Sequence, residues 1–392
     1  MAVKLSHREL DLPKIEIGRL LEIAAEHKEI ISLGPGEPDF NMPLPLIDYV
    51  KKIADQCNHY SPPGGRHEFK EAIIKKLKKE NRIKAGPENI VVTCGSQEGL
   101  LIASACTMDA GDEMIIPDPS FFAYLPTIEM FNAAPVFVPV LEEENFALNP
   151  DEVKKRVVPG KTKVLLINSP CNPTGNVLSK NILEELADIA VENNMYIFSD
   201  EAYEKIVFDD AKHISVASLN GMEDNAVSFF SFSKTYAMCG FRLGFCVANK
   251  KLADAITKSH IYTTICAPTI SQKLGTKALS LPSIHTDKMV TQYQRRVRLM
   301  LTRLNEMGLY CAEPKGAFYC FPNIQSITKD SKKFAYDLLK KARVATVPGV
   351  DFGTKGEGHI RCSCATDIKL IEKAMDKLED YLRKVKRNRL RR

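Results

Sequence analysis

Short, continuous apolar runs alternate with amphipathic stretches through the first two thirds of the chain. Ile90–Thr93 (IVVT), Glu113–Ile116 (EMII), Pro135–Val140 (PVFVPV), Lys163–Ile167 (KVLLI), Met195–Ser199 (MYIFS), Ala226–Ser231 (AVSFFS) and Leu243–Ala248 (LGFCVA) read as strands. Between them Ser96–Met108, Phe121–Phe131 and Ser179–Glu192 have helical spacing; in the last, Leu183, Leu186, Ile189 and Ala190 share one face. Strands lacking polar alternation are buried on both sides, and strands separated by helices pair in parallel. The pattern predicts an α/β fold whose large domain holds a mainly parallel (mixed) sheet covered by helices on both faces.

After about residue 280 the pattern changes. A long helical stretch, Asp287–Glu306, leads to Gly316–Phe321 (GAFYCF), then helix, strand and a final helix ending near Leu382. This predicts a smaller α+β domain. The expected organisation is an arm at 1–35 packing with the small domain, a large domain at 36–280, the small domain at 281–382 and a basic tail at 383–392. A length of 392 residues suits two or three such units.

Composition changes this picture little. Hydrophobic residues are 44% and charged residues 26%, which excludes disorder, a coiled coil or a collagen-like repeat. The formal charge of +5 is concentrated in RKVKRNRLRR, where Arg383, Lys384, Lys386, Arg387, Arg389, Arg391 and Arg392 lie; without those seven the body carries −2. Nucleic-acid binding needs basic residues on a folded face, so no nucleic-acid partner is expected. No run reaches the ~18 apolar residues of a membrane span, and the charged N-terminus has no apolar signal core. Eleven cysteines form no C-x-x-C pair and read as reduced thiols, which predicts a cytoplasmic protein without a structural metal.

Ligands of open α/β sheets bind beyond the carboxyl ends of the strands. Five places there carry candidate chemistry. Cys94-Gly95-Ser96-Gln97 opens a helix whose amides can cradle phosphate, although a Gly-Ser turn alone is common. Asn168–Gly175 (NSPCNPTG) is a rigid loop presenting Asn172, and Asp200-Glu201-Ala202-Tyr203 puts a carboxylate at a strand end, where capping is the commoner role. In Ser231–Tyr236 (SFSKTY) a lysine follows an apolar strand, with Arg242 eight residues on; such a lysine desolvates and forms Schiff bases. In Gly358–Arg361 (GHIR) an arginine between apolar residues needs a planar partner, a carboxylate of a ligand or of another domain.

These segments, with others, resemble the class I, fold-type I, pyridoxal-phosphate-dependent aminotransferases of the aspartate and aromatic type. LGPGEPDF, YSPPGG, NSPCNPTG, SDEAYE, SFSKTYAMCGFRLGF, GAFYCFP and VPGVDFG…GHIRCSCA occur in family order from Leu33 to Ala365, about 85% of the chain. The resemblance implies that Lys234 carries the pyridoxal 5'-phosphate and moves the proton, that Asp200 pairs with the ring nitrogen, and that Tyr203 and Asn172 bond the ring hydroxyl. It implies that Phe121 stacks on the ring. Gly95, Ser96, Gln97, Ser231, Ser233 and Arg242 would grip the phosphate, with Tyr60 reaching it from a neighbouring subunit of a homodimer with shared active sites. Arg361, helped by Asn172 and the Gly36 backbone, would bind the substrate α-carboxylate.

The activity so implied is a ping-pong transfer of an amino group from an L-amino acid to a 2-oxo acid, 2-oxoglutarate first. At the position matching Gln97 one aspartate-specific branch uses lysine, so the neutral amide favours a broad site for aromatic or long-chain donors. Arg19 is a candidate for a distal carboxylate, with an exposed helix arginine as the blander reading. Carbon–sulfur β-lyases of the same fold share the lysine, aspartate and arginine and are the alternative. Aminotransferase-like transcription regulators are more remote, because only ~30 residues precede LGPGEPDF, too few for a DNA-binding domain and linker.

Overall fold

The computed structural model describes residues 5, 6, 9 and 12–390, without the side chains of 388–390. An amphipathic helix at Ile17–Glu26 leads to β1 (Ile31–Ser32). Then β2 (Ile90–Thr93), β3 (Glu113–Asp118), β4 (Ala134–Pro139), β5 (Thr162–Asn168), β6 (Tyr196–Asp200), β7 (Ala226–Ser231) and β8 (Gly244–Val247) form a seven-stranded sheet ordered β2-β8-β7-β6-β5-β3-β4. β8 is antiparallel to both neighbours and every other pairing is parallel, which is the mixed sheet that the apolar runs predict.

Successive residues of a strand face opposite layers. Val164 and Leu166 of β5 pack with Leu100, Ala103 and Ile256, whereas Leu165 and Ile167 pack with Leu183, Leu186 and Ala190. The first set comes from helices Ser96–Thr107 and Lys250–Thr263, the second from helix Lys180–Glu192. Each aliphatic side chain so buried contributes about 1.5–3 kcal/mol. The helix at Lys180 starts where Ser179 Oγ accepts the Ile182 N–H. The helix expected at Phe121–Phe131 is shorter, Tyr124–Glu129, because Phe121 is held in a turn and Ser120 N–H is engaged by the Phe352 carbonyl.

Beyond the sheet, β9 (Tyr319–Cys320), β10 (Val344–Ala345), β11 (Val347–Pro348) and β12 (Ile360–Ser363) are short. They form an antiparallel sheet β11-β12-β9, while β10 pairs in parallel with β1 of the arm. Helices Ile284–Glu306, Ser331–Ala342 and Ile368–Leu390 surround a separate apolar cluster there. Leu20 and Ile30 of the arm bury against Ala335, Leu339 and Ala345. The last helix runs past the expected end near Leu382. No glycine or proline interrupts it, Val385 packs on the core, and Arg383 pairs with Glu379 one turn back. Arg391 and Arg392 of the expected tail lie outside the described residues, as does the Arg389 side chain. No described helix is long and apolar enough to cross a membrane.

Candidate active site

The carboxyl ends of β2, β5, β6 and β7 converge on a cavity of about 590 Å³. At its β2 end the chain turns through Gly95, at φ +89°, into the helix beginning at Ser96, and no side chain caps that helix. Its first amides are therefore free for an external anion, together with the positive end of the helix. A Cβ on Gly95 would stand 2.7 Å from Arg242 Nη2, and one on Gly244 would stand 2.6 Å from Ser96 N. Lacking these atoms, the guanidinium and the helix start come together. Arg242 Nη1 donates to the Cys239 carbonyl at 3.1 Å. Gln97, Ser231 and Ser233 line the same cavity; Ser231 Oγ accepts the Ser233 N–H at 3.2 Å.

Lys234 follows in the short helix Phe232–Thr235, and its Nζ donates to the Gly36 carbonyl at 2.5 Å. Burial lowers its pKa, helped by Arg361 and Arg242, so its neutral, nucleophilic amine is populated more readily. Asp200 ends β6. It accepts the Tyr124 O–H at 2.8 Å on Oδ2 and the Ala202 N–H at 3.1 Å on Oδ1. Burial nonetheless raises its pKa, because neutral donors compensate a buried charge only in part. Phe121 lines the wall beside it, edge-on to Tyr124 with ring centroids 5.5 Å apart.

Arg361 comes from β12 and is 1% exposed. Its Nη1 donates to Asn172 Oδ1 at 3.0 Å and its Nη2 to the Gly34 carbonyl at 2.6 Å, while Nε is buried without a hydrogen bond. Its guanidinium lies 4.5 Å from the Tyr319 ring centroid and 4.9 Å from that of Phe352. The interdomain ion pair considered for this arginine is not formed among the described residues. The Tyr203 and Tyr319 hydroxyls are 2.7 Å apart, and a Cβ on Gly36 would meet the Tyr319 hydroxyl at 2.9 Å.

Thus Gly36, Gly95, Ser96, Gln97, Phe121, Asn172, Asp200, Tyr203, Ser231, Ser233, Lys234, Arg242 and Arg361 share one cavity. Tyr60 does not line it and is 79% exposed. Arg19 is also absent from the lining; its guanidinium lies 5.9 Å from the Tyr336 ring centroid, so it is not placed for a distal carboxylate. Ile17 and Leu21, one helical turn apart, line the cavity instead, with Pro35 and Phe122. Sequence reasoning missed these four, and Tyr124 and Tyr319 as well. Tyr124 stands one turn after Phe121 and Tyr319 lies inside GAFYCFP, so both were within reach of the motifs, whereas nothing local marks Ile17 or Leu21.

Residues 28–378 match the family described as aminotransferase class I and II. The chain belongs to that family. The enzyme is 45% identical to an aspartate aminotransferase of Pyrococcus abyssi over 377 residues, covering 95% of this chain and 96% of that one. It is 42% identical to aromatic-amino-acid aminotransferase 2 of Thermococcus litoralis, with the same coverage of 95% and 96%. Among solved structures, the aromatic aminotransferase of Pyrococcus horikoshii superposes with a TM-score of 0.89 at 44% identity, covering 94% of this chain and 99% of that one. The aspartate aminotransferase of Thermus thermophilus with maleate gives 0.92 at 31% identity, covering 97% and 100%.

The enzyme is accordingly a pyridoxal-phosphate-dependent transaminase. Its residues fit the cofactor. An uncapped helix start and an arginine suit a phosphate, a half-buried carboxylate whose hydrogen-bond donors are neutral suits a protonated ring nitrogen, and a desolvated lysine suits an aldehyde. These relatives are named as transaminases, the class favoured over the lyases.

Proposed function

We propose that the enzyme moves the amino group of a broad range of L-amino acids, aromatic and long-chain donors first, to 2-oxoglutarate in a ping-pong cycle. When bound, the cofactor supplies an aldehyde for the amine and a ring that accepts the electron pair of the broken Cα–H bond. Lys234 would hold it, and its Nζ, whose pKa burial lowers, would take the proton from the substrate α-carbon once freed from the cofactor. Asp200 keeps a proton on the ring nitrogen, held in register by Tyr124. Asn172 and Tyr203 would bond the ring hydroxyl, Phe121 would stack, and Gly95, Ser96, Gln97, Ser231, Ser233 and Arg242 would hold the phosphate. Arg361 takes the substrate α-carboxylate as a bidentate pair near Gly36.

The observation that carries the donor preference is the outer wall. Ile17, Leu21, Pro35 and Phe122 offer apolar surface, and the cavity's lysine and arginines are Lys234, Arg242 and Arg361, each already assigned. A distal carboxylate therefore meets the Gln97 amide rather than a cation of its own. Relatives named for aspartate and for aromatic amino acids match almost equally, at 45% and 42%, which agrees with breadth. Half-reactions with a panel of donors, followed in the cofactor's visible spectrum, test this. Phenylalanine, tyrosine and leucine are expected to convert at least as well as aspartate; aspartate far above all three overturns it.

A cytoplasmic homodimer is part of the same reading. Tyr60 lies outside its own cavity and is exposed, as are Ile261, Tyr262 and Ile265, and the adjacent Ser61 Oγ meets Thr269 Oγ1 at 2.8 Å. Exposed apolar and aromatic side chains of this kind suit a second copy, whose phosphate Tyr60 would reach. Mixing Lys234→Ala with Tyr60→Phe chains after subunit exchange is expected to restore activity, because one hybrid site then holds both native residues. Additive activity without gain counts against shared sites.

A further inference from the structure

We propose that Cys94, Glu98 and His260 form a site for a divalent transition-metal ion of the zinc class, next to the catalytic cavity but outside its lining. Cys94 follows β2, Glu98 lies in the first turn of helix Ser96–Thr107, and His260 in the last turn of helix Lys250–Thr263. Their sulfur, carboxylate oxygen and ring nitrogen all lie within 4.8 Å of one another. Ligands around a tetrahedral zinc stand roughly 3.3–3.7 Å apart, so only a small contraction closes the site.

The orientation of each group is already set. His260 is fully buried, and its Nδ1 faces the Pro63 carbonyl at 3.0 Å. A carbonyl only accepts, so Nδ1 carries the hydrogen and Nε2 is the nitrogen left for a metal. That Nε2 makes no hydrogen bond; a Glu98 oxygen lies 3.2 Å away, but outside hydrogen-bond geometry. Glu98 itself is anchored at both oxygens, accepting the Cys94 N–H at 2.6 Å and the Thr264 hydroxyl at 2.7 Å.

The surroundings favour a positive charge. The Glu98 carboxylate lies 3.2 Å from His260 Nε2, and the Cys94 sulfur belongs to the same cluster. A metal ion would supply that charge. Three metal–ligand bonds form, the Cys94 thiol proton and any proton on His260 Nε2 leave to solvent, and nothing is oxidised. One thiolate, one imidazole and one carboxylate suit zinc or cobalt rather than magnesium or calcium, with a fourth position for water. The other such cluster among the described residues, Glu201, Glu204 and His213, differs because the Lys76 ammonium, 2.5 Å from Glu204, already supplies the cation.

The test uses the holoenzyme after treatment with a chelator. Zinc titration against a chromophoric competitor is expected to give one tight equivalent per chain. Cobalt is expected to give the visible bands of a tetrahedral, sulfur-ligated ion, to the red of the cofactor's absorption. Since His260 is fully buried, the informative variants are Cys94→Ser and Glu98→Gln, checked for native circular dichroism. Each should weaken zinc binding by roughly 100-fold or more, and Cys94→Ser should remove the cobalt–thiolate band. No uptake by the wild type, or unchanged uptake by folded Cys94→Ser, overturns the proposal.

Discussion

The two ends of the cavity are made differently. The inner end is assembled from strand termini and the turns directly after them: Gly95 after β2, Asn172 after β5, Asp200 on β6, and Ser231 with Lys234 after β7. Its groups are polar, and several are held by backbone: Lys234 on the Gly36 carbonyl, Arg361 on the Gly34 carbonyl, Asp200 on the Ala202 amide. The outer wall is apolar, and two of its residues, Ile17 and Leu21, arrive on a helix that packs both on the sheet's apolar layer and on the distant Ser331–Ala342 segment. A rigid sheet edge holds the polar groups, and a helix arriving from outside the sheet shapes what fits against them.

If that division holds, damage at the inner end removes the reaction, whereas change at the outer wall redirects it. The largest effect is expected from Lys234→Ala, where turnover falls by about 10⁴-fold or more while the cofactor still binds. Single-turnover kinetics and the cofactor spectrum check both parts. Asp200→Asn is next, with a loss on the order of 10²–10³-fold in kcat, since an amide cannot balance a ring cation. Arg361→Lys should raise KM for amino acids about 100-fold, because one ammonium replaces a planar fork. Unchanged KM across donors would remove the arginine from the substrate's carboxylate.

At the outer wall, Leu21→Arg should shift the kcat/KM ratio of aspartate to phenylalanine upward by about 10-fold with little loss of the better rate. A uniform loss for all donors would deny the division. The smallest effect concerns the latch of that helix. Asp351 Oδ2 accepts the Glu16 and Ile17 N–H groups, both at 2.9 Å, and burial raises its pKa to about 6 from the ordinary 3.8. Between those two values the folded protein binds more protons than the unfolded chain, so this group's contribution to stability falls as pH rises through that window. Thermal melting from pH 4 to 7 should show a shallower decline for Asp351→Asn than for the wild type.

Much of the inner end was legible because its residues are local. A strand, its terminal turn and the next helix occupy about a dozen consecutive residues, so Gly95-Ser96-Gln97, Asn172, Asp200 and Lys234 each stood beside the apolar run that positions them. Tyr124 and Tyr319 were missed although they lie within those segments, because a hydroxyl's partner is not set by spacing along the chain. The cysteines were read as reduced thiols, and ten of the eleven carry no further inference.

The sequence by itself determined the alternating fold, the sheet's strands, the family and the inner set of groups, since hydrophobic period and turn chemistry act over a few residues. Tertiary structure alone decided which side of the arm helix faces the cavity, turning Ile17 and Leu21 inward and Arg19 toward Tyr336. It alone brought His260 to Cys94 and Glu98. Such contacts join segments far apart in the chain, and their geometry follows from how whole layers pack, which no local pattern encodes.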